Sequence, residues 1–227
     1  SRLSLIDRGM VYAIAHIRGG MDKGKKWYQD GKKKKKINTF EDFICSALYL
    51  KKERISGEIS IHGGSAGGLL VGATLNIRPD IFKAAVAEVP FVDVLNTILD
   101  DTLPLTPPEW EEWGNPIKNI EDFQYISSYS PYDNIKEQDY PTLLVTSGLT
   151  DPRVTYWEAT KWVAKLRDKK TDTNPLFLKT YTEAGHGGMC LLLRPTHRPT
   201  DPRNPHPHPR PHSHPHPHPH PHPRPHP

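Results

Sequence analysis

The segment Ile61–Gly68 constrains the fold of this chain more than any other part of its sequence. Its central spacing, Gly63-x-Ser65-x-Gly67, follows an alternating apolar stretch and precedes a run of helical composition. This order predicts a nucleophile elbow, a tight strand-to-helix turn that holds a serine in a strained conformation above a sheet. Glycines beside the serine would avoid clashes of a Cβ with the strand and the helix. Short Gly/Ser patterns also arise by chance, so a plain glycine-rich turn is the alternative.

Strands and helices alternate on both sides of this motif. Apolar segments rich in strand-forming residues predict strands over 10–15, 59–62, 84–89, 142–146 and 176–180. Helical spacing of apolar residues predicts helices from a capping Asn38 to Leu48, over 67–77 and over 156–168. Residues 91–141 repeat Pro and Trp and predict loops and short helices over one end of the sheet. The order indicates an α/β domain with a mostly parallel sheet flanked by helices.

Composition argues against several classes of partner. The 227 residues carry a formal net charge of +4, and the five lysines Lys32–Lys36 form a run that favours a solvated loop or the approach to a helix. No base-stacking aromatic ladder accompanies this run, so we do not expect a nucleic-acid partner. No apolar stretch is long enough to cross a bilayer and no signal peptide is recognised, so a membrane partner is not expected. Cys45 and Cys190 lack metal-ligand or disulfide spacing, which favours a reducing, cytoplasmic location.

The C-terminal part of the chain has a different composition. Residues 205–227 consist almost entirely of His and Pro. Because alternating prolines cannot form a helix or a paired strand, we expect a folded domain over 1–190 and a disordered tail over 191–227. The alternatives for the tail are a low-complexity segment, including one produced by a shifted reading frame, and a metal-capturing segment. Adventitious zinc or nickel binding by its imidazoles is expected in vitro.

An acid and a histidine follow Ser65 in the order that an α/β-hydrolase fold requires. Asp151 lies just after the strand at 142–146, and His186 lies in a glycine-rich loop just after the strand at 176–180. Carboxyl ends of parallel strands share one edge of a sheet, so the three side chains are expected to meet there. The sequence therefore predicts a catalytic triad of Ser65, Asp151 and His186 and hydrolytic chemistry.

Each member of this triad has an expected role. His186 would take the proton of Ser65 as the hydroxyl attacks a carbonyl, while Asp151 would hold the imidazole in the productive tautomer. The Ala66 N–H, at the start of the following helix, would donate to the developing oxyanion. All these groups belong to the protein, so no cofactor and no metal site is expected. His62, inside the strand before the elbow, is expected to be a core residue or to contact the triad.

Three motifs carry a resemblance to a known family. Gly-Gly-Ser65-Ala-Gly-Gly, Asp151-Pro-Arg153-Val and Gly-His186-Gly-Gly resemble the catalytic domain of the prolyl oligopeptidase family. Other segments are similar to its oligopeptidase B branch, namely 16–20, 27–31, 89–94, 111–116, 130–134 and 156–166. The resemblance covers residues 1–188 almost continuously.

The resemblance implies a serine endopeptidase that cuts short peptides after Arg or Lys. In that reading Glu109 and Glu111 match the acidic residues that receive the basic side chain, and Arg153 matches an arginine that binds a substrate backbone carbonyl. The alternatives from the residues alone are an acidic surface loop and a surface arginine. An esterase or acylaminoacyl-peptidase on the same fold, or an inactive truncated product, are the competing functions.

The sequence also departs from the family pattern. Nothing in it corresponds to the family's N-terminal β-propeller, its upstream oxyanion tyrosine or its C-terminal helix. We therefore expect a catalytic-domain fragment in which the triad is complete but activity is weakened. Loss of one oxyanion donor typically lowers the rate by about two to three powers of ten.

Overall fold

The computed structural model describes residues 2–187, which contain one four-stranded, wholly parallel sheet. The strands are β1 (Ser60–Gly64), β2 (Ala84–Glu88), β3 (Thr142–Gly148) and β4 (Leu176–Tyr181), and they lie side by side in that order. The predicted parallel α/β architecture is confirmed. The chain divides into a unit over Ser1–Leu193 and a second unit over Arg194–Pro227. The second unit contains most of the predicted tail and lies outside the described residues, so the tail and its boundary stay predictions.

Helices connect and cover these strands. Their bounds are α1 (Arg2–Ile6), α2 (Lys25–Gln29), α3 (Ile37–Lys52), α4 (Ala66–Ile77), α5 (Val94–Leu99), α6 (Thr106–Trp113), α7 (Ile120–Tyr129) and α8 (Tyr156–Lys169). The region 91–141 holds α5, α6 and α7, as its irregular composition predicts. Within residues 2–187, none of these helices is long and apolar enough to cross a membrane.

One face of the sheet is buried beneath helices. Helix α4 packs on β1 and β2, and α8 packs on β3 and β4. Alternate strand residues supply this apolar layer, among them Ile61, Ala87 and Val145. Their neighbours in sequence point to the opposite face, where Leu144 is partly accessible and Phe177 is 57% exposed. Because the side-chain period of a strand is two, the helix-covered face forms the core of this sheet within residues 2–187.

A second apolar cluster joins the region 91–141 to the middle of the chain. It contains Phe40, Leu69, Phe91, Trp113, Ile126 and Val154. These residues come from α3, α4, α6, α7 and the segments that follow β2 and β3. The cluster therefore fixes the segments that follow β2 and β3 relative to helices α3, α4, α6 and α7.

Two local predictions were wrong. The segment 10–15 is not a strand, and its apolar side chains are accessible, with Val11 64% exposed. A strand is stabilised by pairing with a neighbour, and this segment is hydrogen-bonded to no strand within the described part of the chain. Helix α3 begins at Ile37 without a side-chain cap, so Asn38 is not its cap. Instead, Asn38 Nδ2 donates to the carbonyl oxygen of Asp30 at 2.8 Å, which ties the helix to the preceding loop.

Arg18 joins the segment before α2 to helix α3. Its guanidinium donates to both carboxylate oxygens of Asp42, at 2.8 and 2.6 Å, and its backbone N–H donates to the same carboxylate at 2.9 Å. Both side chains are less than a third exposed. Hydrogen bonds from Arg18 hold the pKa of Asp42 below its ordinary value of 3.8.

We predict that Asp42→Asn lowers the free energy of unfolding at pH 7 by about 1–3 kcal/mol, as for a lost charged hydrogen bond. Because the pKa of Asp42 is lowered by folding, this stabilisation is complete above its ordinary value and is lost as the pH falls through the lowered one. Denaturant unfolding at pH 7 and pH 3 measures both effects. Asp80→Asn, which breaks an exposed pair with Arg78, is the control and should cost less than about 1 kcal/mol. Equal decreases in the free energy of unfolding for Asp42→Asn and Asp80→Asn would contradict the prediction.

Candidate active site

Ser65 connects β1 to α4 in a strained backbone conformation. Its φ is 56° and its ψ is −119°, a region that residues other than glycine rarely occupy. The backbone N–H of Ser65 donates to the carbonyl oxygen of Glu88 at 2.9 Å, and its carbonyl oxygen accepts from Phe91 at 3.1 Å and from Gly68 at 2.8 Å. Strain of this kind costs about 1–3 kcal/mol and persists only where the surroundings fix it. The end of β2, the segment after it and the first turn of α4 fix it here.

Two of the four glycines around Ser65 are sterically required. A Cβ added to Gly63 would lie 2.2 Å from the carbonyl oxygen of Gly67, and one added to Gly68 would lie 2.4 Å from the Cβ of Pro90. A Cβ added to Gly67 would meet nothing within 4 Å. The predicted clash is therefore confirmed for Gly63, and the prediction was wrong for Gly67. The backbone of Gly67 lies close to Gly63, but a side chain at position 67 would itself meet no atom.

The structure brings Ser65, His186 and Asp151 into one chain of hydrogen bonds. His186 Nε2 lies 3.0 Å from Ser65 Oγ, and His186 Nδ1 lies 2.8 Å from Asp151 Oδ2. An ionised carboxylate only accepts, so Asp151 favours the tautomer with the proton on Nδ1 and leaves Nε2 to accept from the serine hydroxyl. This is the geometry that general-base activation of a serine requires.

The carboxylate of Asp151 is buried and held by the backbone that follows it. Its side chain is fully buried, and Oδ1 accepts from the N–H groups of Arg153 at 2.8 Å and Val154 at 3.1 Å. With Oδ2 occupied by His186, both oxygens have partners. These bonds fix the orientation in which the carboxylate meets the imidazole. An Asp that accepts from N–H groups two and three residues ahead is a common turn motif, so the sequence Asp-Pro-Arg carried a signal for this contact.

The loops that carry Asp151 and His186 are packed directly against each other. A Cβ added to Gly148 would lie 2.3 Å from the carbonyl oxygen of Ala184, so only glycine fits there. Thr150 donates to the same oxygen through its N–H at 3.3 Å and its hydroxyl at 3.1 Å. The distance between acid and histidine therefore depends on backbone contacts as well as on their own hydrogen bond.

Ala66 is the first residue of α4. The N–H groups of a first helical turn have no acceptor within the helix, and they form the positive end of its dipole. Ala66 is exposed and follows Ser65 directly, so its N–H is available beside the serine hydroxyl. The arrangement can stabilise negative charge that develops on a carbonyl oxygen attacked by Ser65.

The two acidic residues singled out in the sequence have different partners. Glu109 Oε2 accepts from Trp113 Nε1 at 2.7 Å. The ring of Trp113 packs on that of Phe91, with centroids 5.4 Å apart, and Phe91 N–H donates to Ser65. Glu109 is thus connected to Ser65 in the elbow through the side chain of Trp113 and through Phe91. Glu111 is 86% exposed and pairs with Lys33 at 3.0 Å.

The lysine run makes ion pairs with carboxylates of the same domain. Lys33–Lys35 form a 3₁₀ turn that leads into α3, so the predicted helix approach is confirmed. Lys34 pairs with Glu121 on α7, and Lys36 lies 3.5 Å from Glu112 on α6. Lys36 is largely buried over the ring of Trp113, and this burial lowers its pKa. Sequence reasoning missed these pairs because their partners lie about eighty residues away.

Two further residues that were singled out in the sequence are exposed to solvent. The side chain of Arg153 is exposed, and its backbone N–H donates to Asp151 Oδ1. His62 is exposed as well and lies 3.1 Å from Glu88, so the expectation of a core position was wrong. It points to the face of the sheet opposite Ile61, which is buried. Among residues 2–187, no group of three or more His, Cys, Asp or Glu side chains could hold a metal ion.

Comparison with known proteins finds similarity over most of the chain. Residues 1–195 match the family model described as the prolyl oligopeptidase family. The chain is 51% identical over 189 residues to Protease 2 of Moraxella lacunata, covering 82% of this chain and 27% of that protein. It is also 51% identical over 190 residues to Dipeptidyl aminopeptidase BI of Pseudoxanthomonas mexicana, covering 83% of this chain and 26% of that protein. The chain thus spans about a quarter of the length of these curated relatives.

Solved structures show the same similarity. Oligopeptidase B from Leishmania major is 52% identical, with a TM-score of 0.79. Oligopeptidase B from Trypanosoma brucei, solved with covalently bound antipain, is 54% identical, also with a TM-score of 0.79. Each comparison covers 82% of this chain and 26% of the other. The structural similarity therefore extends over most of this chain.

We predict that Gly63→Ala and Gly67→Ala differ sharply although they lie four residues apart. Gly63→Ala forces a Cβ into the Gly67 backbone and should cost more than about 2 kcal/mol of unfolding free energy, as overpacking does. Gly67→Ala meets no atom and should change it by less than about 1 kcal/mol, since Ala favours a helix. Thermal unfolding of both variants measures the difference. Similar melting temperatures for the two would contradict the account of the elbow.

Proposed function

The chain belongs to the prolyl oligopeptidase family, and from that premise we propose that it hydrolyses short peptides after Arg or Lys through covalent catalysis by Ser65. The observation that carries the proposal is the hydrogen-bonded chain from Ser65 through His186 to the buried Asp151. Serine hydroxyls are weak nucleophiles unless an oriented base accepts their proton. A strained elbow with such a base supports acyl transfer.

The proposed reaction has two halves. In the first, His186 Nε2 takes the proton of Ser65 as Oγ bonds to the substrate carbonyl carbon, and the Ala66 N–H donates to the oxyanion. His186 then gives this proton to the leaving amine, and an acyl-enzyme remains on Ser65. In the second half, water loses a proton to His186, attacks the ester carbonyl, and releases the acid as Ser65 regains its proton. Asp151 stabilises the imidazolium in both halves.

We propose the preference for Arg or Lys in addition to peptide hydrolysis itself. Its main support is the position of Glu109. A guanidinium or ammonium buried in a pocket needs a carboxylate partner. Glu109 is half-buried and is linked to the elbow through Trp113 and Phe91. Glu111 would join it only after giving up Lys33. The similarity to proteins named oligopeptidase B, the branch whose resemblance implies this preference, points in the same direction.

A second candidate function is removal of dipeptides from peptide N-termini. It is favoured by the 51% identity to a protein named Dipeptidyl aminopeptidase BI. The two functions differ in whether a free N-terminus is needed two residues before the cut. Parallel assays of an N-blocked Arg-amide and an unblocked dipeptidyl-amide, both fluorogenic, separate them. The predicted cytoplasmic location and metal binding by the tail stay predictions.

We predict that Ser65→Ala abolishes hydrolysis of the blocked Arg-amide, lowering kcat by about 10³-fold or more, as loss of a nucleophile does. Steady-state hydrolysis by the full chain measures this. Ser60→Ala, which changes an exposed serine on β1, is the matched control and should retain the wild-type rate. Hydrolysis by the Ser65→Ala variant at the wild-type rate would disprove catalysis at this site.

We predict that Glu109→Gln lowers kcat/KM for Arg substrates by about 10- to 100-fold, as expected when a charged hydrogen bond to the substrate is lost. Hydrolysis of an ester of an apolar amino acid should change little, because that substrate has no charge to pair. Glu121→Gln, which removes an exposed carboxylate on α7 that pairs with Lys34, is the control. Equal losses on the Arg and apolar substrates would assign Glu109 a structural role instead.

A further inference from the structure

The segment after β2 supports the nucleophile elbow and is itself strained. Val89 has a φ of 40°, a rare value for a β-branched residue, and its N–H donates to Thr146 on β3 at 2.8 Å. Pro90 lies so close to Gly68 that no side chain fits between them. Phe91 N–H then donates to the carbonyl oxygen of Ser65 at 3.1 Å. The strained residues Ser65 and Val89 are thus connected by two contacts, one between Pro90 and Gly68 and one between the Phe91 N–H and the Ser65 carbonyl.

A buried carboxylate from α8 holds the next part of this segment. Glu158 is completely buried, and its Oε2 accepts from the N–H groups of Val92 and Asp93, both at 3.0 Å. Its Oε1 accepts from the hydroxyl of Thr97 at 2.8 Å. These donors lie directly after Phe91 and in α5. Glu158 therefore holds the residues that directly follow Phe91, whose N–H donates to the elbow carbonyl.

The charges around Glu158 make its burial costly. Burial, with a smaller contribution from the nearby carboxylate of Asp93, raises the pKa of this carboxyl to about 7. Asp93 is itself buried, accepts from Asn96 at 2.7 Å, and pairs with Lys161, which lies on the same helix as Glu158. An apolar residue would avoid the desolvation cost but would leave two backbone N–H groups without an acceptor. The carboxylate is thus suited to holding backbone in a fixed place.

We infer that Glu158 is a positioning residue for Ser65, which acts by fixing residues 91–93 so that the Phe91 N–H holds the elbow carbonyl. The part of this inference that concerns the labelling rate of Ser65 rests on the proposed function. The part that concerns hydrogen exchange in the elbow does not. Glu158 touches none of the reacting atoms. Its removal should therefore lower the reactivity of Ser65 without changing which substrates bind.

The experiment compares Glu158→Ala, Glu158→Gln and a control carboxylate in the full chain. Asp172→Ala is the matched control, because Asp172 also accepts from two backbone N–H groups, of Tyr140 and Asn174, but lies before β4 at the other edge of the sheet. Two quantities are measured: the second-order rate of Ser65 labelling by a fluorophosphonate, and amide hydrogen exchange in peptides covering 64–69 and 89–97.

For Glu158→Ala we expect labelling slowed by about 10- to 100-fold, the scale of misplacing a reacting group, together with faster exchange in both peptides. Glu158→Gln keeps an acceptor for the two N–H groups and should label within about threefold of wild type, since a neutral acceptor of the same shape replaces the carboxylate. Asp172→Ala should lower the melting temperature without slowing the labelling of folded protein. Should Glu158→Ala not fold, Thr97→Val, which removes one donor, should slow labelling by about two- to fivefold, since one of three bonds is lost.

Two results would overturn the inference. One is unchanged exchange at 64–69 in Glu158→Ala, or in Thr97→Val if that variant takes its place. The other is a labelling rate for Glu158→Gln as low as that of Glu158→Ala. A wild-type chain that does not label would instead defeat the proposed function. The exchange data would then still decide whether Glu158 fixes the elbow.

Discussion

The backbone of Ser65 is the constraint on which the rest of the described domain depends. A serine at φ 56° keeps that conformation only if its N–H and its carbonyl are both held. Glu88 at the end of β2 holds the first, while Phe91 and Gly68 hold the second. The requirement for glycine at 63 and 68 follows from the same geometry, because strand, helix and the segment after β2 meet at this point.

The parallel sheet turns this local constraint into a site. Registers such as Gly64 beside Glu88 and Glu88 beside Thr146 align the carboxyl ends of the strands, so each loop leaves the sheet at the same edge. The loops carrying Asp151 and His186 then pack on each other through Gly148 and Ala184. Full burial of the Asp151 side chain strengthens its interaction with the imidazole, since charges interact more strongly away from water. The parallel sheet and the packed loops thus place the serine, the histidine and the acid within hydrogen-bonding distance of one another.

The sequence was informative where a feature is local and uninformative where it depends on a distant partner. The elbow and the positions of Asp151 and His186 could be predicted because each follows an apolar segment recognisable within a few residues. The segment 10–15 has strand composition, but pairing decides whether a strand forms, and no composition reveals a missing neighbour. Glu158 looks like a solvated position of an amphipathic helix, and only the fold brings Val92 and Asp93 to it. The pair of Lys33 with Glu111 was hidden for the same reason, since seventy-eight residues separate them.

The central claim is that residues of this chain assemble a reactive serine at the carboxyl edge of the sheet. Intact-mass analysis after treatment with a fluorophosphonate, followed by peptide mapping, tests it most directly. The account predicts one adduct per chain, located on Ser65 and absent when His186 is replaced by Ala, because the probe reacts with a serine only when its base is in place. A chain that is folded by circular dichroism but gains no mass, or that carries the adduct elsewhere, would contradict the account.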